Sequence, residues 1–334
     1  MQDHQFGSGR RSALIAFFEA VLITALLSYA AFSQTPKTAE EYVAAGNALV
    51  QVGHLDNAIA FYTKAIELKP DLADAYNNRG FVYQKQNKTQ MAIEDFTKAI
   101  QLQPQNALYY KNRGNAYSSL NAGLAIADYQ RALKLDPNDA YIWLRLGILE
   151  NEMGSIVEID NAAAHYTEAI RLKPDLVEAY LKRGALYEKR YLYDKALADI
   201  NKVIQIDPDR ADAYAQRASV YRWQNKYELA INDSTTAIRL KPGSAVYYYN
   251  RGYLYLRQQG VNTISDIKKA PKIDSSVIRS AIADLTKAIE LDPAGTQQHI
   301  RRATAYCALG ESALAAADLA KAAELGAKNL PKCP

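Results

Sequence analysis

The sequence predicts an all-α protein, an α-solenoid of stacked antiparallel helix pairs. Three observations carry that prediction. The phrase "YNNRGFVYQKQNKTQMAIEDFTKAIQLQP", Tyr76 to Pro104, is written again as "YYKNRGNAYSSLNAGLAIADYQRALKLDP" and keeps recurring. Successive units end in Leu-x-Pro (Ile-x-Pro once) at Pro70, Pro104, Pro137, Pro174, Pro208, Pro242 and Pro293, with spacings of 34, 33, 37, 34, 34 and 51. Within each unit, apolar residues recur at helical spacing in two blocks, separated by a Gly-, Asn- or Asp-containing turn such as "QVGHLDN". A fixed repeat period of this length is the signature of a solenoid, in which one helix pair cannot bury its apolar face alone but a stack can.

Residues 1–33 stand apart. Arg10 and Arg11 precede "SALIAFFEAVLITALLSYAAFS", an apolar run with basic charge on its N-terminal side. A cleaved signal peptide fits, with small residues Ala31 and Ser33 before a cut at Gln34. An uncleaved membrane anchor also fits, and a buried soluble helix is the third reading. Glu19 inside the run would cost roughly 2.5–3.5 kcal/mol near a bilayer centre, which tilts the balance toward cleavage. Either export reading leaves everything after about residue 34 outside the cytoplasm, periplasmic, extracellular or membrane-anchored.

The repeats then follow at about 39–72, 73–106, 107–139, 140–176, 177–210, 211–244, 245–295 and 296–329. Each opens with an aromatic: Tyr42, Tyr76, Tyr110, Trp143, Tyr180, Tyr214 or Tyr248. Four residues later comes Gly46, Gly80, Gly114, Gly147, Gly184, Ala218 or Gly252. In the second helix two further small positions recur, beginning with Ala58 and Ala65. Small residues are needed where two helices approach closely. Proline then closes the second helix, because the residue before a proline avoids the helical region. The last repeat has Ala303, Ala315 and Ala322 in register but no closing proline. Repeat 3 lacks a residue in its turn, repeat 4 carries three extra near "GSIVEID", and repeat 7 carries seventeen extra over about 260–278, where Lys268, Lys269 and Lys272 suggest a partner contact or a mobile loop. The 24 tyrosines against 7 phenylalanines then read as packing aromatics, at Tyr83, Tyr117, Tyr187, Tyr221, Tyr255 and Tyr306 in first helices and at Tyr62, Tyr129 and Tyr166 in second helices.

This pattern resembles the tetratricopeptide repeat family over about residues 39–329. The resemblance implies a right-handed superhelix whose first helices line a concave groove, and a role in holding a partner protein rather than in catalysis.

A charge pair is written into the repeat. Arg79, Arg113, Arg183, Arg217, Arg251 and Arg302 precede the small position in repeats 2, 3, 5, 6, 7 and 8, and the second helices of the same six carry Asp95, Asp128, Asp199, Asp233, Asp284 and Asp318. Repeats 1 and 4 have neither. The two appear together or not at all, so an ion pair within each repeat is expected. If partly buried, loss of one partner would cost about 3–5 kcal/mol.

On the groove face that the resemblance implies, Lys85, Lys111, Arg145, Lys182, Lys189, Arg222, Arg257 and Arg301 are opposed by Glu152 and Glu188 only. Asn78, Asn112 and Asn250 stand two residues before the glycine, where an amide can donate to and accept from an extended backbone. Phe81, Trp223, Tyr249 and Tyr253 add aromatic surface. The expected ligand is a protein or peptide segment, acidic or carboxylate-ended, and the alternative is an assembly role through the convex face or self-association.

A net charge of +4 with no long Lys/Arg run does not suit nucleic acid. The four histidines are scattered, and no phosphate loop, zinc pattern or nucleophile motif appears, so no enzyme, cofactor or metal is expected. Membrane contact is expected only through residues 12–33 if uncleaved. Cys307 and Cys333 are too few for a framework but suit one disulfide in an exported protein, pinning the C-terminal tail for about 3 kcal/mol.

Overall fold

A computed structural model describes residues 36–154, 156–270 and 273–333. The expected export segment at 1–33 lies outside the described residues. Among the described residues no helix is long and apolar enough to cross a membrane.

Sixteen α-helices and no strand occur among the described residues. In chain order they are α1 (Ala39–Gln51), α2 (Leu55–Leu68), α3 (Ala73–Lys85), α4 (Thr89–Leu102), α5 (Ala107–Tyr117), α6 (Ala122–Leu135), α7 (Ala140–Met153) and α8 (Ile156–Leu172). They continue with α9 (Val177–Lys189), α10 (Tyr193–Ile206), α11 (Ala211–Trp223), α12 (Tyr227–Leu240), α13 (Ala245–Gln258), α14 (Ser275–Leu291), α15 (Thr296–Ala308) and α16 (Ser312–Glu324). A short 3₁₀ helix, Ile264–Lys269, sits between α13 and α14. The protein is thus an all-α helical repeat solenoid.

The described residues form two compact units, one ending at Leu149 and one starting at Glu150, so the division falls inside α7. Within the first unit α1 packs on α2, α3 on α4 and α5 on α6; within the second α9 packs on α10, α11 on α12, α13 on α14 and α15 on α16. First helices of neighbouring repeats also touch, α1 on α3, α3 on α5, α9 on α11 and α13 on α15, so in each unit they share one face.

Local chemistry sets the helix ends. Thr38 and Glu41 form a reciprocal capping box at the start of α1. Second helices stop two residues before each proline: Lys69, Gln103, Asp207 and Lys241 leave the helical region at φ near −140 and ψ near 80, as a residue preceding proline must. Most first helices end on a left-handed residue, Asn87 and Asn225 among them, whose successor donates back to the last turn, whereas α5 ends on Ser118 in the right-handed region. Tyr191 occupies that position with φ 60, a conformation that asparagine tolerates better.

The small positions lie where the helices touch. Ala58, Ala65, Ala92, Ala99, Ala125 and Ala132 are fully buried in the first unit, as are Ala162, Ala169, Ala196, Ala230, Ala237, Ala281 and Ala288 in the second. A methyl group on Gly114 would stand 2.8 Å from the Tyr129 ring. The length changes are absorbed differently from a loop-only expectation. The extra residues of repeat 4 and part of those of repeat 7 lengthen the second helix to 17 residues in α8 and α14, against 14 in α2, α4, α6, α10 and α12 and 13 in α16. The missing residue of repeat 3 shortens α5 to 11.

The tyrosines divide into two groups. Tyr62, Tyr109, Tyr129 and Tyr166 fill the core. Those beside the small residue of the first helices are mostly half-buried instead, and their rings wall the repeat arginines. Arg79 lies 5.7 Å from the Tyr76 ring and 5.9 Å from that of Tyr83; Arg113 and Arg183 are flanked in the same way. Their residues stand three before and four after the arginine, on one helical stripe. They pack against the buried clusters as expected, and these tyrosines also shield a cation whose attraction to a ring face strengthens as water is excluded.

Candidate functional site

The arginines of the repeat make the same bidentate contact six times. Arg79 donates from Nε and Nη2 to both oxygens of Asp95 at 2.8 Å. Arg113 with Asp128, Arg183 with Asp199, Arg217 with Asp233, Arg251 with Asp284 and Arg302 with Asp318 repeat the fork at 2.7–2.8 Å. The aspartates are buried and the arginines about one-fifth exposed. The carboxylate hydrogen bonds raise the guanidinium pKa in all six, against the opposing pull of burial.

Each arginine has a third bond that sequence reasoning missed. Its Nη1 donates to the second helix of the preceding repeat: to Thr63, Thr97, Thr167, Asn201, Thr235 and Thr286 in turn. The signal was present. A Thr or Asn stands two residues after the aspartate position wherever the next repeat has arginine, and only Gln130, before the Leu146 repeat, departs. Repeat 4 substitutes a different pair, with His165 Nδ1 2.6 Å from the buried carboxylate of Glu150. His299 Nδ1 joins Asp318 at 3.1 Å and its Nε2 is buried without a partner. Among the described residues, no cluster of His, Cys, Asp or Glu gathers as a metal site requires.

In the first unit the predicted ligand-binding residues are mostly engaged with the protein itself. Asn78 donates to Asn47, which also accepts from the buried Tyr62 hydroxyl, and Asn112 donates to Asn77. Both amides belong to a ladder linking neighbouring first helices. Lys111 is ion-paired with Asp139 at 2.7 Å, which removes it as a free groove cation. Arg145 reaches Ser118 at 3.3 Å, and Lys85 lies 5.2 Å from the exposed Phe81 ring.

The second unit is different. A pocket of about 230 Å³ opens between α11 and α13, lined by Ala215, Ala218, Ser219, Arg222, Tyr249, Asn250 and Tyr253. The Tyr249 and Tyr253 rings stack at 6.4 Å. Arg222 lies over the exposed Trp223 ring at 4.4 Å, and Arg301 over Tyr253 at 4.6 Å. Arg257 donates to the Tyr227 hydroxyl at 3.2 Å. Lys182 and Lys189 are exposed. Among the described residues no carboxylate pairs with Arg222, Arg257 or Arg301.

The repeat 7 insertion approaches the same arginines. Arg301 donates to the main-chain carbonyl of Asn262, and the Tyr253 hydroxyl donates to the Asn262 side chain at 2.8 Å. Val261 and Ile264 are buried. So this segment is docked over much of its length rather than a free loop, although Lys268 and Lys269 stay exposed; Lys272 lies outside the described residues. Cys307 and Cys333 are joined in a disulfide, Cα atoms 5.4 Å apart, beside Ile264 and Ile267.

Comparison with known proteins follows this geometry. Profiles described as TPR repeat match residues 46–87, 123–154 and 158–190; profiles described as tetratricopeptide repeat match 73–106, 177–210 and 211–244. Together they span more than half of the chain. A search of curated proteins finds no match. Among solved structures, the C-terminal part of a TPR repeat-containing protein from Cytophaga hutchinsonii aligns over 76% of this chain and 96% of its own, with 18% identity and a TM-score of 0.59. A tetratricopeptide repeat protein from Parabacteroides merdae aligns over 80% and 98%, with 21% identity and a TM-score of 0.55. PilF from Pseudomonas aeruginosa aligns over 63% and 94%, with 22% identity and a TM-score of 0.55. At these identities the likeness is one of fold.

Proposed function

Because the chain belongs to the tetratricopeptide repeat family, whose members mediate protein–protein interaction, we propose that it is a non-catalytic scaffold that grips an acidic or carboxylate-ended partner segment. The site is the first-helix face of the second unit. The observation that carries this reading is the pocket between α11 and α13: Arg222 has no carboxylate partner, Asn250 can pair with a peptide backbone, and the stacked Tyr249 and Tyr253 offer apolar walls. Arginine is suited to such a site, because its planar fork holds a carboxylate in two parallel bonds. Lys182 and Lys189 would draw an acidic segment in and make association salt-dependent.

Export is part of the proposal. The apolar leader behind Arg10 and Arg11 and the Cys307–Cys333 disulfide both suit an oxidising compartment outside the cytoplasm.

The test is affinity capture from an extract of the source cells on the chain from residue 34 onward. A parallel column carries Lys182→Glu, Arg222→Glu and Asn250→Ala together. The expected partner is held by the first column, lost from the second and released by salt. Equal retention on both would move the contact to the second-helix face and support an assembly role instead.

A further inference from the structure

The repeat 7 insertion places a peptide-like segment on α13 and α15. Its inward side chains are Val261, Ile264 and Ile267, with Ala270 and Ile273 packed beyond them. Ile264 is 3% exposed, in a socket made by Ala303, Cys307 and Ala315, with Ile267 beside Tyr306, Leu319 and Cys333. Asn262 supplies what a bound backbone would supply, a carbonyl to Arg301 and a side-chain acceptor to Tyr253. Thr263, Ser265, Lys268 and Lys269 face solvent.

The fit is incomplete in a specific way. Asp266 is the one acid of the segment's 3₁₀ helix, and its carboxylate is spent on the segment itself: on the main-chain N–H groups of Asn262 and Thr263 and the hydroxyl of Thr263. Arg257, which lines a second pocket with Asn262 and Asp266, is left with a buried Nε that has no acceptor. The Nε of Arg301 is in the same state. Buried donors without partners are costly, and a carboxylate reaching both would remove that cost. A 3₁₀ turn is also a weakly bonded element.

We propose that α13 and α15 form a second peptide-binding site, adjoining the pocket between α11 and α13 through the shared Tyr253, and that residues 261–267 are its tethered, displaceable occupant. The ligand class is a segment with two aliphatic side chains three residues apart, as Ile264 and Ile267 are, and carboxylates placed to reach Arg257 and Arg301. A tether gives the resident segment a high effective concentration, so only a partner offering those extra ion pairs displaces it. This site stands whether or not the first pocket takes a ligand.

The test uses the full chain lacking residues 262–277, which restores the five-residue spacing seen from Gly53 to Ala58 between Gly260 and Ala281. The probe is a fluorescein-labelled peptide of residues 260–270. Saturable binding to the shortened chain, at least tenfold weaker with Arg301→Glu and absent on the intact chain, is the expected result. A second peptide carrying Lys268→Glu and Lys269→Glu should bind the shortened chain more tightly at low salt; equal or weaker binding overturns the acidic ligand class. No binding to a shortened chain of native helicity overturns the site. Should the deletion fail to fold, the intact chain with Asn262→Gly and Ile264→Ser serves. Trypsin should cut it after Lys268 or Lys269 at least tenfold faster than the parent, and it should gain peptide binding. Unchanged cleavage with no binding overturns the proposal.

Discussion

Arg217 and Asp233 offer the cleanest perturbation of the repeat. Arg217 donates to Asp233 at 2.7 and 2.8 Å and to Asn201, one repeat back, at 2.7 Å. The Asp233 side chain is 10% exposed and that of Arg217 is 21%. Asp233→Ala leaves a largely buried guanidinium with Asn201 and the Tyr214 ring as company. Arg217→Ala leaves a buried carboxylate with no cation. Breaking a buried pair from one side costs about 3–5 kcal/mol, and the partial exposure of Arg217 puts each single variant near the lower end, about 3 kcal/mol. The double variant leaves no uncompensated charge, so its loss should be close to that of one single variant and the coupling about 2–3 kcal/mol. Asn201→Ala, which removes one hydrogen bond, should cost about 1 kcal/mol. Urea unfolding followed by circular dichroism gives the cycle. Hydrogen exchange of α11 and α12 localises it, since a repeat array need not unfold as one unit. Losses that add within about 0.5 kcal/mol would refute a coupled pair.

Five further outcomes are expected. Burial pushes Tyr62 up to about 12 and raises Tyr109, Tyr129 and Tyr166 in the same direction. These groups favour the folded state below the unfolded tyrosine pKa near 10, and that stability is lost as pH rises through about 12. Thermal midpoints should therefore fall steeply above pH 10, and less so with Tyr62→Phe. Cys307→Ser opens a loop spanning 26 residues and should cost about 3 kcal/mol, read as faster hydrogen exchange in α15 and α16. Gly114→Ala drives a methyl to 2.8 Å from Tyr129, whose hydroxyl is tied to Asn115, and should cost about 1–3 kcal/mol. Gly184→Ala meets Ile200 at 3.3 Å and gains helix propensity of up to about 1 kcal/mol, so its midpoint should barely move. Tyr191→Asn relieves a left-handed tyrosine that is 71% exposed and should stabilise by about 1 kcal/mol in urea melts.

Much of the fold was legible because a repeat states its constraints many times. The closing prolines, the small residues and the two helical blocks each recur in register, so a local ambiguity in one unit is resolved by the others. The within-repeat arginine and aspartate could be matched for the same reason: Leu146 and His165 break the pattern together. The threonine contact to the next repeat carried the same kind of signal through Gln130.

The candidate site was less legible. Position in a helix tells which face a side chain occupies, but not what stands opposite it. Asn78 and Asn250 hold equivalent places, yet Asn78 is bonded to Asn47 while Asn250 lines an open pocket. Lys111 and Lys182 stand three and two residues before the glycines of their repeats. Asp139 neutralises Lys111, whereas Lys182 is exposed. The insertion was the largest surprise, since its chemistry lies in contacts from Asn262 to Tyr253 and Arg301 that no periodicity encodes. Sequence alone therefore determined the helix pairs, their small-residue contacts and the repeated ion pair, because each depends on spacings within one or two units. Only the tertiary structure decided which basic residues remain without acids and where the insertion docks, because those depend on distances between residues that no fixed spacing relates.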